Sequence, residues 1–468
     1  MKLMTRLQCS AGTALLMASF GVCAASPSGA SDSDALVQQG KYLATAGDCI
    51  ACHTAPGGKP FAGGLALPTP IGDIISTNIT PSKTHGIGTY TLDQFTKAVR
   101  EGVKANGDHE YPAMPYTSYA KVSDADIQAM YAYFMKEVEP VDTAPAATDL
   151  PFPFNIRFSM AAWNLLFLDK KVYEPIPDKG EVWNRGAYLA QGLTHCSTCH
   201  TPRNMLMAEN FSLNLAGGEV GPWHAPNITS DINSGIGGWS DQEIIDYLRT
   251  GNAGAKGQAA GPMAEAVDHS LQHLNEADLK AIAVYLKTVP AIANSSNSRP
   301  AYAWGAAADD LKSIRGVPLP ADLNQMTGPQ LYDAECASCH QAQGQGTKDG
   351  LPSLFHNTAL GTTKTDNLVL VILEGIPRLP GTPGAIMPAF KTQLSDQQIA
   401  TLGTYLISNY GNPQATITTD QVKSLRSGQS PNSTVDLVWL ARAGIVGGGI
   451  IVLLIIGFLV RRSRKRHQ

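Results

Sequence analysis

The motif Cys-x-x-Cys-His occurs three times in the 468-residue chain, beginning at Cys49, Cys196 and Cys336. This spacing is a signature of covalent haem attachment, because both thiols can bond to one haem and the histidine can bind its iron. A single Cys-x-x-Cys could instead be a redox dithiol or half of a zinc site. Three copies, each followed by histidine in a similar repeat, favour three covalently bound haem c groups. The nine residues predicted to hold them are Cys49, Cys52, His53, Cys196, Cys199, His200, Cys336, Cys339 and His340.

Each motif lies in a longer internal repeat that starts at a glycine, namely Gly40, Gly186 or Gly328. Each repeat closes with an amphipathic segment in which apolar residues recur every three or four positions, as in a one-sided helix. A residue type that commonly caps helices marks the start of each segment, at Ser123, Asn275 and Ser395. No alternating run is long enough to indicate a substantial sheet. We therefore predict an all-α fold of three tandem cytochrome c domains, followed by one C-terminal transmembrane helix. The domains, called units 1, 2 and 3, are predicted at residues 34–140, 180–292 and 323–412.

A methionine follows each motif, shortly before the closing helix, and is the predicted sixth iron ligand of its unit. Met114 in unit 1 and Met387 in unit 3 each precede a proline, whereas Met263 in unit 2 does not. A thioether ligand raises the haem potential relative to nitrogen ligands, which suits electron transfer. Each methionine could instead be an ordinary core residue, with His109 and His269 as alternative ligands in units 1 and 2.

Other polar and aromatic residues are weaker candidates near the haems. Asn78 and Asn227 occupy equivalent positions in two Asn-Ile-Thr segments, where they either bind haem propionates or cap a turn. Arg203 could pair with a propionate. His195, directly before Cys196, fits a place beside the haem or at the surface better than a place on the iron. The aromatic residues predicted to line haem pockets are Trp223 and Trp239.

The charge balance of the chain argues against nucleic acid as a partner. Residues 26–435 hold 38 acidic and 27 basic side chains, so no nucleic-acid binding is expected. The sequence has no constellation typical of hydrolysis, no phosphate-binding glycine loop, and no flavin or pterin motif. We therefore predict electron transfer and no catalytic residues. A multihaem peroxidase, which requires an open iron position, is the competing hypothesis of an enzyme.

Both ends of the chain carry apolar segments. Basic residues, an apolar stretch at 11–22 and small residues after it are typical of a signal peptide, predicted at 1–25. A second uncharged stretch predicts a transmembrane anchor at 437–460. The basic residues that follow it predict a cytoplasmic C-terminus, with the haem domains on the periplasmic side of a bacterial inner membrane.

A family resemblance rests on the segments TNITPSKTHGIG, LPFPFNIR, HCSTCHTPRN and CASCHQAQGQGTKDG. With the three haem motifs, they resemble the triheme cytochrome c subunits of membrane-bound periplasmic dehydrogenases, above all fructose, sorbitol and gluconate dehydrogenases of acetic acid bacteria. The resemblance implies a large catalytic subunit that is FAD-dependent, a small subunit, and ubiquinone as the electron acceptor. The cytochrome subunits of quinoprotein alcohol dehydrogenases and molybdenum aldehyde dehydrogenases are the alternative.

Overall fold

A computed structural model describes residues 32–347, 350–379, 386–429, 437–446 and 454–456. The predicted signal peptide at 1–25 lies outside these residues. The first group of elements surrounds the first Cys-x-x-Cys-His motif. These elements are α1 (Asp32–Ala46), α2 (Cys49–Cys52), β1 (Ala66–Thr69), β2 (Gly72–Ile75), α3 (Leu92–Glu101), α4 (Tyr116–Tyr119) and α5 (Asp124–Lys136).

A single helix, α6 (Ser159–Phe167), lies in the connection to the next group. Unit 2 repeats the order of unit 1, with a π-helical turn at Leu189–Leu193 leading towards its motif. Its elements are α7 (Glu181–Tyr188), α8 (Cys196–His200), β3 (Gly218–Val220), β4 (Trp223–Ala225), α9 (Asp241–Thr250), α10 (Pro262–His269) and α11 (Glu276–Leu286).

Unit 3 again places one helix before its motif and a long helix after it. Its elements are α12 (Gly328–Glu335), α13 (Ala337–His340), α14 (Thr358–Gly361), α15 (Asp366–Glu374), α16 (Asp396–Tyr410) and α17 (Thr419–Arg426). The core of this unit continues past residue 412, because Val422 and Leu425 of α17 are buried in it.

The long closing helices α5, α11 and α16 begin at polar residues that cap them. In each case the side chain of the residue before the helix accepts a hydrogen bond from the backbone N–H three residues on, which satisfies a donor that the helix leaves unpaired. The pairs are Ser123 with Asp126, Asn275 with Asp278, and Ser395 with Gln398. These starts are the ones that the sequence pattern predicts.

The first glycine of each repeat is the point where the opening helix crosses the closing helix. A Cβ atom at these positions would overlap the facing helix, so only glycine permits the close approach. The distances from such a Cβ are 1.9 Å to Ala129 O for Gly40, 1.9 Å to Ala281 O for Gly186, and 2.4 Å to Tyr405 Cβ for Gly328. The repeated glycine is therefore a packing requirement of the fold.

Two parts of the predicted fold class are wrong. The chain is not purely helical, since β1 pairs with β2 and β3 pairs with β4 as antiparallel hairpins. Among the described residues, none of the helices is both long and apolar enough to cross a membrane. This finding overturns the predicted anchor at 437–460, and with it the topology that the single span implied. Within that segment only 437–446 and 454–456 belong to the described residues, and both are helical.

The buried apolar side chains form two large clusters, one shared by units 1 and 2 and one in unit 3. Unit 3 packs against unit 2 where the β3–β4 hairpin meets α15. There the backbone N–H of His224 donates to Asn367 Oδ1 at 2.9 Å, and Asn367 Nδ2 donates to His224 O at 2.8 Å. Arg378 of unit 3 also forms a buried ion pair with Asp268 of unit 2, at 3.1 Å.

Candidate haem-binding sites

The histidine of each Cys-x-x-Cys-His motif is oriented by a backbone carbonyl. In all three units Nδ1 lies within hydrogen-bond distance of a carbonyl oxygen, which can only accept. The contacts are His53 to Thr77 O at 2.7 Å, His200 to Pro226 O at 2.7 Å and His340 to Pro352 O at 3.0 Å. Nδ1 therefore carries the proton, and the lone pair of Nε2 is left to bind a metal.

The backbone of each of these histidines is held as well. Its carbonyl oxygen accepts a hydrogen bond from the N–H of a glycine with positive φ, a conformation that other residues rarely adopt. These bonds are Gly63 N to His53 O at 2.8 Å, Gly217 N to His200 O at 2.7 Å and Gly346 N to His340 O at 3.0 Å. The ring and the main chain of each histidine are thus fixed from two sides.

The Asn-Ile-Thr segments support this arrangement in units 1 and 2. Asn78 follows the carbonyl that orients His53, and its Oδ1 accepts from Thr80 N at 2.9 Å and Thr80 Oγ1 at 2.7 Å. Its Nδ2 donates to Val141 O at 2.8 Å. Both ends of the Asn78 amide are used within the fold, so this asparagine caps a turn. Asn227 has the same contacts, with Thr229 and with Ile292 O.

None of the six motif cysteines, all within the described residues, forms a disulfide, so each is left for attachment to haem. Before they bond to haem, desolvation raises the pKa of Cys49, Cys52 and Cys336 to about 12, and that of Cys199 to about 11, which favours the protonated thiol at neutral pH. Desolvation also lowers the pKa of His53 and His200, which keeps both rings neutral. Two thiols and a neutral imidazole on one short segment fit covalent haem attachment.

The three candidate methionines pack against the apolar clusters to which motif cysteines also belong or against which they pack. Met114 and Met263 pack against the cluster shared by units 1 and 2, which also includes Cys49 and Cys196. Met387 packs against the unit 3 cluster and pairs with Ile376 through two backbone hydrogen bonds of 2.9 and 3.3 Å. Iron ligation by these methionines stays a prediction.

The two alternative histidine ligands lie within six residues of the candidate methionines in the sequence. His109 pairs with Val103 in an isolated bridge, and its Nδ1 is buried with no hydrogen-bond partner among the described residues. His269 is the last residue of α10. Ligation by His109 or His269 stays the alternative prediction.

The weaker candidates have structural partners. His195 stacks edge-on against Tyr119 of unit 1, with ring centroids 5.6 Å apart, and desolvation lowers its pKa to about 4. Arg203 donates to the carbonyls of Met207 and Thr198 at 3.0 and 2.9 Å.

The two tryptophans also take part in packing. Trp223 lies against Gly261, close to Met263, and against the unit 3 cluster. Trp239 is buried edge-on against Tyr247. The sequence does not predict the three residues whose carbonyls orient the motif histidines, namely Thr77, Pro226 and Pro352. Backbone groups have no side-chain signature, and the Asn-Ile-Thr repeat was the only trace of the first two.

Comparisons with known proteins agree with this geometry. A family model described as "Cytochrome c" matches residues 184–290 and 325–409, and one described as "Cytochrome C oxidase, cbb3-type, subunit III" matches residues 35–134. The chain is 45% identical to the fructose dehydrogenase cytochrome subunit of Gluconobacter japonicus, over 97% of both chains.

Two further relatives are also cytochrome subunits of dehydrogenases. The gluconate 2-dehydrogenase cytochrome c subunit of Pantoea cypripedii is 42% identical over 85% of this chain and 91% of its own length. The cytochrome c subunit of alcohol dehydrogenase (quinone) from Gluconobacter oxydans is 36% identical over 91% of this chain and 88% of its own. The chain therefore belongs to the family of cytochrome c subunits of dehydrogenase complexes, whose domains bind haem c covalently.

Proposed function

We propose that the chain is a triheme electron-transfer subunit with one haem c in each unit. The haems are attached at Cys49 and Cys52, at Cys196 and Cys199, and at Cys336 and Cys339. The iron ligands are His53 and Met114, His200 and Met263, and His340 and Met387. One observation supports all three sites equally: a carbonyl holds Nδ1 of each motif histidine at 2.7 to 3.0 Å, which directs Nε2 towards a metal.

The proposal extends to the direction of electron flow. A catalytic dehydrogenase subunit, FAD-dependent and accompanied by a small subunit, oxidises a sugar or polyol of the fructose, sorbitol or gluconate type and passes the electrons to this chain. The chain carries out no substrate chemistry itself and delivers the electrons to ubiquinone. The support is the ranking of the relatives, since the fructose and gluconate dehydrogenase subunits share more identity with the chain than the alcohol dehydrogenase subunit does.

A purified complex tests this assignment directly. The chain is isolated with the subunits that accompany it, and haem reduction is followed after adding fructose, gluconate or ethanol in separate cuvettes. We expect fructose or gluconate to reduce the haems and a short-chain ubiquinone to reoxidise them. If ethanol were the only one of the three substrates that reduced the haems, the chain would instead be assigned to an alcohol dehydrogenase.

The number of haems gives a separate prediction. The full chain, matured with its haems, will contain three haem c groups, and the Cys336→Ala/Cys339→Ala variant will contain two. The haem-to-protein ratio and the mass of the denatured chain measure this number. The matched control is Ser338→Ala, which changes the same motif without removing a thiol and will keep three. Fewer than three haems in the native chain contradicts the proposed function.

The sixth ligands give the next prediction. Met387→His will lower the midpoint potential of one haem by roughly 0.1 V, because axial ligands set haem potentials over a range of about 0.8 V. The control is Met326→Leu, a substitution at a buried methionine in the same core, which will leave all three potentials unchanged. Potentiometric titration distinguishes the two variants, and an unchanged titration for Met387→His removes Met387 as a ligand.

A further inference from the structure

Two tyrosine–aspartate hydrogen bonds join units 1 and 2 in a reciprocal way. Tyr42 of α1 donates to Asp278 Oδ2 in the first turn of α11, at 2.6 Å. Tyr188 of α7 donates to Asp126 Oδ2 in the first turn of α5. The two tyrosines occupy equivalent places, two residues after the crossing glycine, and each aspartate is the third residue of its closing helix. The units therefore exchange the same contact in both directions.

The surroundings of these bonds repeat the reciprocity. The Tyr42 hydroxyl accepts from the backbone N–H of Asn275 at 3.3 Å, and the Tyr188 hydroxyl accepts from that of Ser123 at 3.1 Å. In each unit, the residue before the crossing glycine also binds the aspartate of its own unit, the one that accepts from the tyrosine of the other unit. These bonds are Gln39 Nε2 to Asp126 Oδ1 at 3.0 Å, and Arg185 Nε to Asp278 Oδ1 at 2.7 Å. Units 1 and 2 thus face each other with approximate twofold symmetry.

The same interface brings the haem-attachment region of each unit against the part of the other unit that lies at or just after its candidate methionine. Helix α10, which contains Met263, packs against α2, which contains Cys49 and Cys52. In the other direction α4, which follows Met114, packs against the π-helical turn that leads to Cys196. Polar contacts also join the two units here. For example, Ser270 Oγ of unit 2 donates a hydrogen bond to Ala46 O of unit 1 at 3.1 Å.

Among its described residues, unit 3 has no equivalent of these tyrosine–aspartate bonds. Gln330 stands where units 1 and 2 have tyrosine, and Gln398 stands where they have aspartate. Its contact with unit 2 is made by other residues, such as Asn367 and Arg378. The reciprocal bonds are therefore specific to the first two units.

We propose that the Tyr42–Asp278 and Tyr188–Asp126 bonds position the first haem against the second, so that these two haems exchange electrons directly as a pair. The inference rests on the proposed function, because it requires a haem in units 1 and 2. The four residues are positioning residues: they contact the opposite unit and hold the two attachment segments at one separation and orientation.

Removing the hydroxyls tests the pairing in the full, haem-loaded chain. Two haems held in one mutual orientation give a two-signed circular-dichroism signal in the haem absorption band. In Tyr42→Phe/Tyr188→Phe we expect this signal to collapse. We also expect electron equilibration between haems, followed after flash reduction, to slow by roughly tenfold, since rates that depend on geometry fall steeply with displacements of about 1 Å.

Matched controls separate positioning from general stability. Tyr131→Phe removes a hydroxyl that donates to Tyr90 O at 2.7 Å within unit 1, and it will leave both signals unchanged. Asp278→Asn keeps an acceptor for Tyr42 and will retain most of the dichroism, whereas Asp278→Ala will lose it. If the double variant loses haem, the dichroism of the single variants Tyr42→Phe and Tyr188→Phe is measured instead. The comparison of Asp278→Asn with Asp278→Ala then decides whether the bond positions the haems.

The outcomes also distinguish the two proposals. Native dichroism and native equilibration in a double variant that still holds three haems would overturn the pairing and leave the triheme function intact. A native chain with fewer than three haems would overturn the function itself.

Discussion

The Gly186→Ala variant will fail to assemble unit 2 around its haem. The new Cβ would lie 1.9 Å from Ala281 O and 3.0 Å from Tyr285 Cβ, and the nearest obstacle is backbone, which cannot rotate away as a side chain can. Overpacking a core costs about 1 to 3 kcal/mol and sometimes more, and we expect the upper end of this range or beyond. Haem content and thermal unfolding of the purified chain measure the effect.

Gly192→Ala is the control for this prediction. Gly192 lies in the same unit, in the π-helical turn before Cys196, and a Cβ at this position would have Lys121 Cβ as its nearest neighbour, 3.5 Å away, an ordinary contact. Alanine also restricts the unfolded chain more than glycine does. We expect Gly192→Ala to keep native haem content and melting temperature. A Gly186→Ala chain that melted like Gly192→Ala would contradict the packing argument.

The Arg378→Ala variant will loosen unit 3 from unit 2. The side chains of Arg378 and Asp268 are only 3% and 7% exposed, so removing the cation leaves a carboxylate buried with too few partners. Breaking a buried ion pair in this way typically costs about 3 to 5 kcal/mol. We expect a lower melting temperature and faster proteolytic cleavage in the connection at 293–322.

An exposed ion pair in the same unit supplies the comparison. Lys391 and Glu374 are 2.7 Å apart, with side chains 42% and 43% exposed, and pairs of this kind contribute about 1 kcal/mol or less. Lys391→Ala will therefore leave melting and cleavage nearly unchanged. Equal behaviour of the two variants would show that the buried pair does not join the units.

The sequence predicts much of the local structure because the repeats are strongly marked. The starts of α5, α11 and α16 follow from polar capping residues, and the crossing glycines stand at the head of each repeat. The two hairpins are missed because their strands have only three or four residues, too few for an alternating pattern to be recognised. The apolar segment at 437–460 suggests a membrane span that the described residues do not form.

Some functional residues can likewise be predicted from the sequence, whereas others need the structure. The nine motif residues are local in sequence and can be read from spacing alone. The contact between Tyr42 and Asp278 cannot, because it depends on how units 1 and 2 pack together, and the two residues lie more than two hundred positions apart in the sequence. The choice between the two hypotheses for Asn78 also needed the three-dimensional structure, since its hydrogen-bond partners are distant in sequence or belong to the backbone.

The double fixation of the motif histidines has a consequence for the energy of electron transfer. A ligand that turns or shifts when the iron changes charge adds to the reorganisation energy and slows each transfer. Here the ring nitrogen is held by one carbonyl and the main chain by one glycine N–H, for example at Thr77 and Gly63 around His53. With haem bound as proposed, these two backbone contacts would limit how far the imidazole moves when the iron changes its charge, and the Asn78 side chain, which caps the turn after Thr77, would support the carbonyl that holds the ring.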